Sequence, residues 1–480
     1  MDYKMYIAGQ WTGSESGATF EASSPATGGS LGTVPEGTRA DVQRAIAAAN
    51  AAWPAWAART PFERAAVLER TAAIIAERRE ALAQILTLDQ GKPLQAEAYV
   101  EVDDVIEYFK MAAADGKRLE GFMPASVDVN KRVFLQRVPR GVVGVITPWI
   151  WPYEMPAEVI APALASGNAV VWAPAPSTSI CAIKLAECLV DAGLPEGLLN
   201  LITGPGPVVG DEIAHNRGTH AIAFIGSIAT GHKVAERAAG KELLIEMGGN
   251  GPTVILDDAD LDQAVTATLA GCFLCAGQSC TAGELILVQA GIHDAYVARL
   301  TEAIKEKIHL GDPQLASTTL GPLNNEATAA KMDRHIADAR QRGARLVTGG
   351  GRAAGMPTSL YYEPTVLDQV SLEMEVAREE SFGPIAPISI IRDEAQALEI
   401  INNSEYGLLA AIFTRDLRRA WRFAEAARVG WVNINESTNW WELHLPFGGR
   451  AGSRSGVGRV GGRFVQERLT ELKTIVMNLA

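Results

Sequence analysis

Residues 141–174 read GVVGVITPWIWPYEMPAEVIAPALASGNAVVWAP. A β-branched apolar run opens the stretch, a helix-like segment fills about 154–166, and a second apolar run, NAVVW, closes it. Two strands joined by a helix cannot form a hairpin, so they lie parallel, with the helix crossing one face of their sheet. Working outward, LLNLI (198–202) and AIAFI (221–225) continue the rhythm, with helix-like segments around 177–192 and 205–215. The pattern predicts an α/β fold built on a mostly parallel, doubly wound sheet. Such sheets bind ligands just outside the carboxyl ends of their strands.

A second alternating region starts near residue 250. TVIL (253–256), LVTG (346–349), APISII (386–391), LAAIFT (409–414) and GWVNIN (430–435) read as strands. Helices are expected between them near 293–308, 326–342, 394–402 and 416–427. The N-terminal quarter is mainly helical, over roughly 39–53 and 96–119. Between these, Thr60-Pro61-Phe62-Glu63 forms a capping box with proline at the first helical position, and its helix is expected to run to Gly91. VNKRVFLQRV (129–138) and ELKTIVMNL (471–479) alternate like exposed strands outside both patterns. They predict a small projecting sheet.

The 480 residues are too many for one small core, and 48% hydrophobic with 21% charged is a globular composition. A net charge of −13 argues against nucleic acid and anionic lipid as partners. The N-terminal MDYKMYIAGQW lacks the features of a signal peptide, and five cysteines fit a reducing cytoplasm better than a disulfide scaffold. No stretch reads as a membrane span. Cys272 and Cys275 are spaced C-x-x-C without a second ligand pair, so they read as core thiols and no metal site is expected. Asp258 is expected to cap their helix, over 259–276, with both cysteines on one face.

Cys280 differs, because GQSCTAGE (277–284) surrounds it with small polar residues that suit a reactive thiol. Glu246 ends an apolar run in IEMGGNGP (245–252), where partial burial would make it a general base. GPGPVVG (204–210) and GSIATG (226–231) are glycine turns between strand and helix, able to admit a pyrophosphate, although neither fits G-x-G-x-x-G. A simple turn accounts for either equally well. Cysteine, glutamate and a dinucleotide site together suggest covalent catalysis coupled to hydride transfer.

These motifs, with EESFGP (379–384) and PFGG (446–449), resemble the aldehyde dehydrogenase superfamily, in order and spacing, from about Tyr6 to the C-terminus. The resemblance implies a Rossmann-type cofactor domain (1–122 and 141–248), an α/β catalytic domain (249–452) and a small β oligomerisation element (123–140 and 453–480). It implies a homodimer or homotetramer, and NAD as cofactor with NADP admissible. Cys280 would be the nucleophile that forms a thioester, and Glu246 the base that hydrolyses it. Thr147, Trp149, Gly206, Gly226, Ser227, Gly231, Glu380 and Phe382 match cofactor-binding positions, and Ile150 and Trp151 the substrate pocket.

Two departures carry consequences. In TPWIWPYEM (147–155), Ile150 stands where the family normally has an asparagine whose amide joins the Cys280 N–H in an oxyanion hole. Losing one such donor typically costs about 10²–10³ in rate. Impaired hydrolysis, with the acyl group passed to an amine or thiol, is one consequence; a non-catalytic dinucleotide-binding homologue is another. In WAPAPST (172–178), Ala173 and Pro176 replace the Lys and Glu commonly found near the adenosine ribose. Trp151, Tyr153 and NWWELHLPF (439–447) suggest an aromatic or medium-chain apolar aldehyde, with no Arg or Lys marking an acidic one.

Overall fold

Val142–Thr147 is the central strand of the first sheet, in a computed structural model that describes residues 1–480. Five parallel strands lie in the order Glu242–Met247, Ala221–Gly226, Val142–Thr147, Ala169–Pro174, Leu199–Leu201. The chain winds outward from Val142–Thr147 in one direction and then returns to its other side. That reversal opens a crevice between the carboxyl ends of Val142–Thr147 and Ala221–Gly226. Helices Glu154–Ala165, Ser179–Asp191 and Gly206–His215 make the expected crossovers.

The second sheet has seven strands in the order 345–348, 365–368, 385–391, 285–289, 252–255, 409–413, 431–434. All pairings are parallel except the first. Each sheet carries its own apolar core. The two projecting strands pair antiparallel, Lys131–Pro139 with Thr470–Asn478, from Thr470 opposite Pro139 to Asn478 opposite Lys131.

Three details differ from the sequence reading. The helix opened by Thr60 ends at Glu77, and a second runs over Arg79–Asp89. Arg78 between them has φ −97° and ψ 8°, and the bend wraps both helices onto Ser179–Asp191, where Arg78 pairs with Asp191 at 2.5 Å. Asp260, not Asp258, caps the helix Leu261–Phe273 by accepting the Gln263 N–H. The Asp258 carboxylate instead accepts from the Thr414 hydroxyl and the Asp416 N–H. Four short strands, at 5–7, 10–12, 19–23 and 30–35, precede the helical quarter. No helix is long and apolar enough to cross a membrane.

Against the Trp151 ring lies a fully buried ion pair, Lys92 Nζ to Glu101 Oε2 at 2.5 Å. The other Glu101 oxygen accepts the N–H groups of Tyr153 and Glu154 at 2.9 and 3.3 Å, anchoring the first turn of Glu154–Ala165. Removing one partner of a buried pair strands the other charge, at about 3–5 kcal/mol. Lys92→Met is therefore expected to lower the unfolding free energy by that much, read as a lower chemical denaturation midpoint. Adding Glu101→Leu should recover only part, because Tyr153 and Glu154 lose their acceptor. An unchanged midpoint in Lys92→Met would contradict the role given to this pair.

Candidate active site

Glu246 sits at the carboxyl end of the edge strand of the five-stranded parallel array. Cys280 comes from the other half of the molecule. The helix Leu261–Phe273 ends in a turn in which Cys275, Ala276 and Gly277 all have positive φ, of 53°, 55° and 69°. Consecutive left-handed residues are costly for side-chain-bearing amino acids, so packing has to enforce them. Cys275 donates its N–H to the buried Glu97 carboxylate at 2.8 Å. A Cβ on Gly277 would lie 2.0 Å from the Gly383 carbonyl oxygen, so that position admits only glycine. The turn delivers Cys280 to a place beside Glu246, with both side chains at least nine-tenths buried.

Two cavities meet at this pair. One is lined by Tyr108, Trp151, Met155, Glu158, Trp441 and Phe447, together with Cys280 and Glu246. The other is lined by Trp149, Ile150, Gly226, Ser227, Lys331, Glu380 and Phe382, and again by Cys280 and Glu246. The second is the crevice that the strand order predicts. Its ring wall is Trp149 packed edge-on against Phe382, centroids 5.6 Å apart.

Glu380 reaches the crevice because Gly248 has no side chain: a Cβ there would meet the Glu380 carboxyl at 2.1 Å. Glu380 Oε1 has no hydrogen-bond partner. Phe382 has φ 61°, held by the buried Glu284 carboxylate, which accepts the N–H groups of Ser381 and Phe382 at 2.6 Å each. Ser227 caps the helix Ile228–Arg237. Gly231 lets that helix close on Met247, whose sulfur would be 2.2 Å from a Cβ, whereas a Cβ on Gly206 would meet only open space. Thr147 is buried, its hydroxyl accepting from Trp172 Nε1 at 2.8 Å.

Ile150 lines the crevice on the Glu380 side rather than the cavity that holds Trp151, and packs with Trp151 and Cys275. Cys272 and Cys275 are buried free thiols, but only Cys272 remains on the helix. Cys272 donates to the Gly283 carbonyl at 3.0 Å.

Burial pushes the Glu246 carboxyl up to about 8, with the Glu158 charge adding to the effect. The Cys280 thiol is raised well above its ordinary value by burial first, then by Glu246. The reactive thiol expected from its small polar neighbours is thus held in its protonated form by burial. Cys280 rests as the thiol, and its proton must leave to a neighbouring base. Glu380 is pushed up to about 7 by burial, against the opposing charge of Lys331.

A family model described as aldehyde dehydrogenase family matches residues 11–475. The chain belongs to the aldehyde dehydrogenase family. It is 38% identical to the NADP(+) succinate-semialdehyde dehydrogenase of Escherichia coli over 475 residues, 98% of this chain and 97% of that protein. It is 37% identical to the glutarate-semialdehyde dehydrogenase of Pseudomonas putida over 476 residues, 99% of this chain and 97% of the relative. The structure of Staphylococcus aureus betaine aldehyde dehydrogenase in complex with NAD+ superposes with a TM-score of 0.96 at 34% identity, covering 99% and 95% of the two chains.

Several residues of this aldehyde dehydrogenase site escaped the sequence reading. Thr328 and Lys331 line the crevice, one helical turn apart on Glu326–Gln341, where polar residues pass for a solvent face. Glu158 was legible, with Glu154, as one of two charges in an otherwise apolar helix; burial pushes it up to about 8, while Tyr108 donates to it at 3.2 Å. Between about pH 5 and 8 the folded protein thus holds protons at Glu246 and Glu158 that the unfolded chain has released. Stability should fall as pH rises through that window. Thermal melts of Glu158→Gln should show a shallower fall than the parent; parallel curves would exclude Glu158 as a contributor.

Proposed function

We propose that this protein oxidises an apolar aldehyde to its carboxylic acid with NAD(P), by way of a thioester on Cys280. The observation that carries this reading is the meeting of two cavities at one cysteine–glutamate pair. The aldehyde lies on the Trp151–Trp441 side. Cys280 gives its proton to Glu246 as the sulfur attacks the carbonyl carbon, and the Cys280 N–H would hold the developing oxyanion.

The crevice suits a dinucleotide. Glu380 offers an unpartnered carboxylate oxygen, Ser227 begins a helix, and Gly206 leaves its surroundings open. Glu380 and Phe382 would hold the nicotinamide end, and Gly226, Ser227 and Gly231 the pyrophosphate turn, with Thr147 and Gly206 on the adenosine side; Trp149, which the resemblance puts on the adenosine side, packs against Phe382 and is reassigned to the nicotinamide end. NAD(P), when bound, supplies the hydride acceptor that turns the Cys280 adduct into a thioester. Glu246 releases the cysteine proton to solvent, then draws a proton from water as the water oxygen attacks the thioester, and returns it to the departing Cys280 sulfur as the acid leaves.

The aldehyde cavity has aromatic and apolar walls interrupted by Glu154, Glu158, Glu246 and Glu442, and no Lys or Arg among its lining residues. This supports an aromatic or medium-chain aldehyde over the dicarboxylic semialdehydes named for the relatives. The free cysteines suit the cytoplasm. We assign 1–122 and 141–248 to cofactor binding, 249–452 to catalysis, and 123–140 with 453–480 to assembly as a dimer or tetramer. Exposed Leu472, Ile475, Val476 and Met477 on the projecting ribbon support that assembly.

Mixing enzyme, NAD and benzaldehyde in equal amounts should give a burst of NADH and an acyl adduct in the intact mass. Cys280→Ser should give neither. Because Glu246 must be ionised to draw a proton, thioester hydrolysis should rise with pH through about 8 and fade below it. Glu246→Gln should lose that rise and, without the base that takes the Cys280 proton, should also form the adduct more slowly. Ile150→Asn, which adds an amide donor, should speed turnover by about 10²–10³. No gain in that variant would show that the Cys280 N–H suffices alone.

A further inference from the structure

Trp441 forms one wall of the aldehyde cavity without backbone bonds of its own. It meets Trp151 edge-to-face, centroids 5.9 Å apart, and the two rings stand between that cavity and an outer cleft lined also by Glu97, Asp104 and Glu107. Trp151 is steadied from behind by Lys92, 3.2 Å from its ring centroid. Trp441 comes instead from an irregular loop, and neither its N–H nor its carbonyl hydrogen-bonds within the chain. Two residues earlier in that loop stands Asn439.

The Asn439 side chain uses its whole amide. Nδ2 donates to the carbonyls of Ala270 and Gly271 at 2.7 and 3.2 Å, and Oδ1 accepts from the Thr281 hydroxyl. Two carbonyl oxygens can only accept, which fixes the orientation of the amide. Thr281 spends its single hydroxyl proton on Asn439, so the Ser279 hydroxyl, at 2.7 Å, donates to Thr281 in turn. Ala270 and Gly271 belong to the last turn of Leu261–Phe273, whose carbonyls have lone pairs to spare. Ser279 and Thr281 are buried and flank Cys280. One amide therefore joins the helix that leads to the cysteine, the cysteine loop itself and the loop that carries Trp441. Asn433 holds the start of that last loop, donating to the Ser437 and Trp440 carbonyls at 2.6 and 3.0 Å.

We propose that Asn439 is a specificity-determining positioning residue, whose amide sets the Trp441 ring at a fixed reach from the Cys280 sulfur and so selects the aldehydes that fit between them. This rests on the reading of Cys280 given above, and extends it to the residue that fixes the span of the aldehyde site. Asn439 lines the outer cleft and not the aldehyde cavity, so it acts through Trp441 rather than by touching substrate. An aldehyde with an aromatic body draws binding from the Trp441 ring only while the loop is held. A two-carbon aldehyde is too short to draw on that ring. Loosening the loop therefore costs the first substrate more than the second.

The test uses the whole protein and NAD, with para-methylbenzaldehyde and acetaldehyde as substrates. Asn439→Ala should lower kcat/KM for para-methylbenzaldehyde about tenfold more than for acetaldehyde, with most of the difference in KM. Thr281→Val removes the same hydrogen bond from its other end and should shift the ratio alike. The double variant should shift it no further than either single one, because both remove one interaction. An equal fall for the two aldehydes, or shifts that add in the double variant, overturns the proposal. If the parent oxidises neither aldehyde, the reading of Cys280 fails, and backbone hydrogen exchange decides the role of Asn439 alone. Faster exchange over 439–447 in Thr281→Val sustains it, and exchange unchanged there overturns it.

Discussion

The site depends on a backbone contact that leaves no room for a side chain. The Gly383 carbonyl oxygen would stand 2.0 Å from a Cβ on Gly277. The contact presses the Cys280 loop against the turn that presents Glu380 and Phe382, so the thiol and the crevice wall are located relative to one another by main chain rather than by flexible side chains. Three successive left-handed residues are the conformational cost of that closeness. Glu97 and Glu284 offset part of it by accepting backbone N–H groups from either side of the contact. Strand Glu242–Met247 completes the arrangement by bringing Glu246 across from the first sheet.

Burial gives these groups their chemistry and also constrains it. Glu246, Glu380 and Glu158 lie close enough to raise the Cys280 thiol, and burial raises all three carboxyls. A resting thiol is less open to chance alkylation or oxidation than a thiolate. The Glu246 carboxyl stands beside it. The same excess of carboxylate continues outward past Trp151, where the only nearby ammonium, Lys92, is occupied by Glu101. One distribution of charge thus runs from the mouth to the sulfur.

Strand-forming runs such as GVVGVIT and AIAFI were legible because a fully buried parallel strand must be continuously apolar. Leu285–Gln289 and Thr365–Asp368 passed unnoticed, each a short run adjoining residues that belong to loops. The bend at Arg78 was hidden because nothing local breaks the helix; the contact with Ser179–Asp191 does. Asp258 and Asp260 are equivalent as caps by residue type, and only the distant Thr414 and Asp416 claim the first of them. Lys331 and Thr328 look like any solvent-facing pair until their helix is docked against the crevice.

The sequence by itself determined the alternation of strand and helix, the polar setting of Cys280, the carboxylate at the end of Glu242–Met247 and the exposed ribbon strands. These are properties of short segments, written in periodicity, glycine placement and residue type. Only the tertiary structure decided that Ile150 faces the crevice rather than the cavity between Trp151 and Trp441, that the thiol rests protonated, and that acidic residues from three elements share one cleft with no Lys or Arg lining it. The reason is that burial and electrostatic neighbourhood are sums over groups far apart in the chain, and packing alone sets which groups enter the sum.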